Sequence, residues 1–189
     1  MILEANGLRR LVDAHVAYDA AASEAYDEVL FDVVARVEDA KSLGKVDIGA
    51  LLFWKRLRAD TPWVMALNRT PDTVVRQATG AMYVAANNEV TDTVSAAGEA
   101  RSALSVLPGF SSGDALASAL ILAAAPERMA VFDRRAVAAL KGLGVKTTTS
   151  RGQYRRYMQI VEDIRMQLAA QDITWLARDI DKALFMLGG

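Results

Sequence analysis

The stretch LPGFSSGDALASALI runs from Leu107 to Ile121 and sets a Leu-Pro-Gly turn, two serines and a second glycine before an apolar, alanine-rich helix. FDRR follows, with Asp133 in it. Glycines let a backbone approach an oxygen-bearing ligand closely, and the first amides of a helix point outward at the positive end of its dipole. A turn of this form binds phosphate without reading sequence. Gly109, Ser111 and Gly113 are therefore candidate phosphate contacts, with Phe110 as the apolar anchor of the turn. Asp133 presents a carboxylate after an extended AVF, yet it also stands where a helix over RRAVAAL would take an Asp N-cap. A Pro-Gly turn also joins many helix pairs. Both readings stand at this point.

Little else in the chain offers chemistry. There is no cysteine and only one histidine, His15. Disulfides, Cys-ligated zinc, iron–sulfur clusters and a Cys nucleophile are excluded, and a His-rich metal site cannot be built. No metal and no cofactor is expected. His15 reads as an ordinary helical residue, since a lone histidine would have to be the base of any triad. A small-molecule enzyme on a helical fold is disfavoured for the same reasons.

Two segments together resemble a known family. EARSALSVLPGFSSGDALASALI followed by ERMAVFDRRAVAAL is similar to the helix–hairpin–helix–Gly/Pro–Asp superfamily of base-excision DNA glycosylases, the endonuclease III type. Upstream, WVMALNRTPDTVVRQATGAMYVAAN resembles the family helix that carries a strand-wedging residue at its start. The resemblance covers roughly residues 62–143 and implies specific roles. Asp133 takes the place of the family acid, which stabilises the charge that develops on the sugar as an N-glycosidic bond breaks and helps a water attack. The backbone of Gly109 to Gly113 takes the phosphate contacts. Arg69, beside Asn68, takes the wedge position that follows base extrusion. Arg134 and Arg135 become neighbours of flanking phosphates. Where bifunctional members carry a Schiff-base lysine this chain has Gly113 or Asp114, and the second usual glycine of the hairpin is Ser111. The resemblance thus implies a monofunctional enzyme without Lys-linked strand cleavage.

The elements that must position these residues read as helices almost throughout. Val29, Leu30, Val33, Val34 and Val37 keep a three-and-four spacing over a helix expected to start at Ser23–Glu24 and stop at Gly44. DIGALLFWKRLR reads as a helix opened by Asp47, and TPDTVVRQATGAMYVAA as one capped by Thr70. MAVFD, the one strand-like run, lacks a partner and reads as an extended connector. Trp54, Trp63 and Trp175 sit on amphipathic segments and are expected in the core, the alternative being that they stack on an extruded base. The expectation is one all-α domain over residues 1–189, of about eight to ten helices, containing a helix–hairpin–helix. Within it lie acidic N-terminal helices (1–43), a glycosylase-like core (62–143) and C-terminal helices (150–189).

The hydrophobic share of 52% and charged share of 24% make a packed core feasible. A net charge of −1 speaks against a strongly basic nucleic-acid binder, but the charge is unevenly spread. Residues 1–43 carry four Lys/Arg against nine Asp/Glu, whereas residues 128–165, which contain Asp133, carry nine against three. The start has no basic-then-apolar signal pattern and no run is long enough to span a membrane, so a cytoplasmic protein is expected. The functional expectation is a DNA glycosylase-like protein that binds DNA and excises a damaged base. The alternative is a DNA- or protein-binding module without chemistry, its acidic N-terminal helices covering a basic groove or holding a partner.

Overall fold

The computed structural model describes residues 3–189, apart from the side chain of Glu24. Those residues form ten α-helices and no strand. In chain order they are α1 (Ala5–Ala21), α2 (Glu28–Ala40), α3 (Lys45–Trp54), α4 (Pro62–Arg69) and α5 (Asp72–Ala86). Then come α6 (Thr93–Ala103), α7 (Ala115–Ala124), α8 (Arg134–Gly142), α9 (Gln153–Ala169) and α10 (Ala177–Leu187). None of these helices is long and apolar enough to cross a membrane.

Two helices organise the rest. The sequence of α7, ALASALILAA, is apolar all round, and every residue from Leu116 to Ala124 is buried. A helix without a polar face can only sit inside, and α2, α3, α5 and α6 pack around it. At the other end α10 buries Ala177, Ile180, Asp181, Ala183 and Leu184 against α1, α8 and α9. The partner face of α1 is the stripe Leu8, Leu11, Ala14 and Tyr18. The chain's first and last helices are therefore packed together, and one contiguous apolar core runs from Leu3 to Leu184.

Several boundaries differ from the sequence expectation, each for a local reason. Ser23 accepts the Ala25 amide at 3.3 Å and caps only a single 3₁₀ turn, so α2 begins later, at Glu28. It ends at Ala40, where Lys41 takes a left-handed conformation (φ 53°), and Gly44 instead opens α3. Asp47 is the third residue of α3 and acts backwards, its carboxylate accepting the Gly44 amide at 2.9 Å and the Arg36 guanidinium at 2.8 Å. Thr70 does not cap α5: its hydroxyl donates to the Ala66 carbonyl and closes α4.

Candidate functional site

The approach to Asp133 is the extended connector 129–132. With no neighbouring strand, its backbone groups must find partners elsewhere. Side chains supply them from three helices. Asp181 of α10 accepts the Val131 amide at 2.7 Å, Ser118 of α7 accepts the Phe132 amide at 2.9 Å, and the Tyr154 hydroxyl of α9 donates to the Ala130 carbonyl at 2.9 Å. The Phe132 ring packs edge-on to Tyr157 at 5.3 Å. The connector is thus held from below, and it delivers Asp133 to the start of α8 in an extended conformation (φ −136°, ψ 151°).

Both carboxylate oxygens of Asp133 are engaged. Oδ1 accepts the Arg135 amide at 2.9 Å, the N-cap bond anticipated for this position. Oδ2 accepts the Lys55 ammonium at 2.7 Å. The Asp133 side chain is 25% exposed and that of Lys55 only 9%. Burial alone would raise the Asp133 carboxyl. The Lys55 hydrogen bond, the Arg135 amide and the two nearby positive charges outweigh it, and the group titrates below 3.8. Asp133 is accordingly a carboxylate at neutral pH.

Around this pair lies a small cavity of about 30 Å³ lined by Tyr18, Tyr26, Trp54 and Phe185 with the charged groups Arg178, Asp181 and Lys182. Arg178 is its electrostatic centre. Its guanidinium donates to Asp181, reaches Asp27 at 3.3 Å, and lies 5.4 Å over the Trp54 ring. The Trp54 indole N–H also donates to Asp27, at 3.0 Å. Burial pushes the Asp181 carboxyl up to about 6 against the pull of Arg178 and the Val131 amide. The Arg178 guanidinium shifts up as well, because its two carboxylates outweigh its own burial. The opposite directions expected for a simple ion pair are absent because burial penalises Asp181 more than one arginine restores. Tyr18 is raised to about 12, chiefly by burial. Shifted groups gathered on one cavity mark a functional-site candidate. The volume, however, suits a water molecule rather than a nucleobase.

The turn between α6 and α7 is built differently. The Phe110 amide donates to the Leu107 carbonyl at 3.1 Å, with Pro108 second and Gly109 third at φ 85°, the pattern of a type II turn. A Cβ on Gly109 would stand 2.3 Å from Trp63 Cε3, so the turn requires glycine for space as well as for conformation. Arg101 clamps the turn from inside: it donates to Asp114 at 2.6 Å, to the Phe110 carbonyl at 2.8 Å and to the Gly113 carbonyl at 3.1 Å. Asp114 is thereby diverted from capping α7, whose N-terminus receives no side-chain cap. Ser111, Ser112 and Gly113 are exposed. On one side the turn borders a cleft of about 290 Å³ with Arg58, Thr61 and Trp63, and on the other a groove of about 550 Å³ shared with Arg151 and Arg155.

Asp133 and the turn do not line one cavity, but they are tied through two elements. Lys55 lines the Asp133 cavity and Leu57 the 290 Å³ cleft, two residues apart. Ala115 borders that cleft, while Ser118, one helical turn further along α7, holds Phe132. Arg134 and Arg135 are exposed beside Asp133, with Arg135 stacked 4.7 Å over Phe185. Arg69 ends α4, exposed, and lines neither the Asp133 cavity nor either cleft at the turn. None of residues 3–43 lines those two clefts. Tyr18 and Tyr26 instead wall the Asp133 cavity. His15 bridges Asp19 and Asp179 and stacks on Trp175 at 4.6 Å.

Sequence reasoning missed Lys55, Arg178, Asp181 and Asp27. Lys55 lies within the DIGALLFWKRLR run read as a helix, and its partner lies 78 residues away. A signal for Asp181 existed: it falls on the apolar stripe of α10 with Ala177, Ile180 and Leu184. Among the described residues the protein is all-helical, with a charge-paired cavity set beside a glycine-hinged turn. No family model matches the chain, and neither the curated proteins nor the solved structures gave a match.

Proposed function

We propose that this protein is a DNA glycosylase-like protein that grips a phosphate at the 107–113 hairpin and uses Asp133 to assist hydrolysis of an N-glycosidic bond. The observation that carries the reading is the Asp133 carboxylate, ionised and fixed through both oxygens at the edge of an aromatic-walled cavity. Such a carboxylate is preorganised to face developing positive charge on a sugar. The exposed residues Ser111 to Gly113, just ahead of the α7 N-terminus that receives no side-chain cap, support the phosphate half of the reading. Extruding a base into the cavity requires its wall of α1 and α10 side chains to open, since the closed volume is about 30 Å³. Lys55 is engaged in the ion pair with Asp133, which fits an enzyme without lyase chemistry.

A second reading is a DNA-binding module without catalysis. It is favoured by the same Lys55 contact, which neutralises the acid, and by the closed cavity. Base release from a panel of damaged duplexes, with Asp133→Asn as control, separates the two. Asn still caps a helix but carries no charge. Under the catalytic reading it keeps the helix cap, melts lower because Lys55 loses its ion pair, and loses roughly 100-fold or more in rate at a temperature where both proteins are folded. A wild-type protein that releases no base from any lesion yet binds duplex DNA establishes the second reading. Full activity in Asp133→Asn defeats the assignment of the acid.

A further inference from the structure

A second site lies on the far side of Phe132, at the start of α9. Among the described residues, three buried side-chain polar atoms have no hydrogen-bond partner: Thr61 Oγ1, Arg156 Nε and the Tyr157 hydroxyl. Two of the three, from Arg156 and Tyr157, belong to residues that line one cavity of about 80 Å³. Tyr157 is only 3% exposed. A buried polar group left unsatisfied costs about 1–3 kcal/mol, so two beside one cavity call for an explanation.

The chemistry of the lining is one-sided. The phenol is held neutral, and hence a donor, because burial and then the nearby Asp181 charge push its ionisation well above 10. Arg156 commits its terminal nitrogens to the loop before α9, donating to the Arg151 carbonyl at 2.7 Å and to Ser150, which leaves Nε–H turned to other use. Lys146 and Gln153 complete the polar wall with two threonine hydroxyls, Phe132 and Ile160 form the apolar wall, and no carboxylate lines the cavity. A neutral phenol, a guanidinium N–H, an ammonium and hydroxyls together form a cage of donors, and the ligand that answers it is rich in acceptors and negatively charged.

We propose that this cavity binds a phosphate group, held by Tyr157 and Arg156 from within and by Lys146 at its rim. The phosphate comes either from a free phosphate ion or from a nucleic-acid backbone. The cavity has its own lining, although Gln153 also borders the groove beside the 107–113 turn and Phe132 immediately precedes Asp133, and it does not depend on glycosidic chemistry.

The test compares melting temperatures of the full chain in sodium phosphate and in sodium chloride of matched ionic strength at pH 7, for the wild type, Tyr157→Phe and Lys146→Ala. In chloride Tyr157→Phe melts no lower than the wild type, because the lost hydroxyl bonds nothing in the chain. In phosphate at ten times its dissociation constant the wild type gains roughly 3 °C or more. Both variants lose most of that gain. No gain in the wild type, or a full gain kept by either variant, overturns the proposal. If Tyr157→Phe folds poorly, Lys146→Ala, on an exposed loop, decides between these outcomes by itself. Duplex DNA binding across salt concentrations then assigns the source. A backbone phosphate makes Lys146→Ala weaken binding and lowers the salt slope by about one. A free ion leaves DNA binding unchanged while the phosphate-dependent gain is lost.

Discussion

The Asp133 cavity and the 107–113 turn are neighbours built on opposite principles. In the cavity both carboxylates are paired within the same chain: Asp133 with Lys55, and Asp181 with Arg178, which also reaches Asp27. These groups come from α1–α2, α3, α8 and α10, so the cavity exists only when distant helices are assembled. In the turn the internal bonds face inward through Arg101, while Ser111 to Gly113 face solvent. The turn is local in sequence and open; the cavity is non-local and closed. Unused polar capacity lies at the turn and stored electrostatic energy lies at the cavity. Under the proposed function, binding falls to the first and chemistry to the second.

The contrast is broken most severely at Arg178. Replacing it by methionine leaves Asp181 and Asp27 without their common cation, and an uncompensated buried charge costs roughly 3–5 kcal/mol. Urea unfolding at pH 7 reads this directly, and a loss below about 1 kcal/mol would mean that the pair is hydrated.

Next in size is the pH dependence from Asp181. Its carboxyl rises from 3.8 to about 6 on folding, so the folded state holds the proton more tightly than the unfolded chain. The stabilisation is complete below the unfolded value and is lost as pH rises through about 6. The stability of the wild type relative to Asp181→Asn is therefore expected to fall by about 1–3 kcal/mol between pH 4 and 7. A flat difference across that range contradicts the assignment.

At the turn the largest expected effect stays below that at Arg178. Gly109→Ala forces a side chain into a left-handed backbone and against Trp63, for a loss of about 2–3 kcal/mol. Gly113 shares the left-handed backbone (φ 80°) but has nothing within 4 Å of a built Cβ. Gly113→Ala is expected to cost only about 1 kcal/mol, the conformational part alone. Equal losses at the two glycines would show that the Trp63 contact relaxes freely. If the exposed backbone of the turn holds phosphate, Gly113→Ala also weakens duplex binding more than it lowers the melting temperature.

Local physics was legible in the sequence. The three-and-four spacing of Leu30, Val33 and Val37 gave an amphipathic helix, because one face must be buried. The run ALASALILAA has no polar face and so had to be internal. The order Leu-Pro-Gly-Phe dictated a turn, since Pro fixes one torsion and Gly alone tolerates the next. Asp133 at a helix start followed from an Asp ahead of RRAVAAL. Tertiary structure decided what these elements meet. Lys55 and Asp133 are 78 residues apart and Arg178 and Asp27 are 151 apart, and no periodicity encodes such pairings. Ion pairing is directional only once two backbones have been fixed, whereas apolar patterning acts within a single helix. For that reason the sequence alone determined the helices, the turn and the place of one carboxylate, and only the packing of α10 on α8, with Tyr18 of α1 and Lys55 at the end of α3 brought beside them, decided that the carboxylate would stand in a closed, charge-paired cavity.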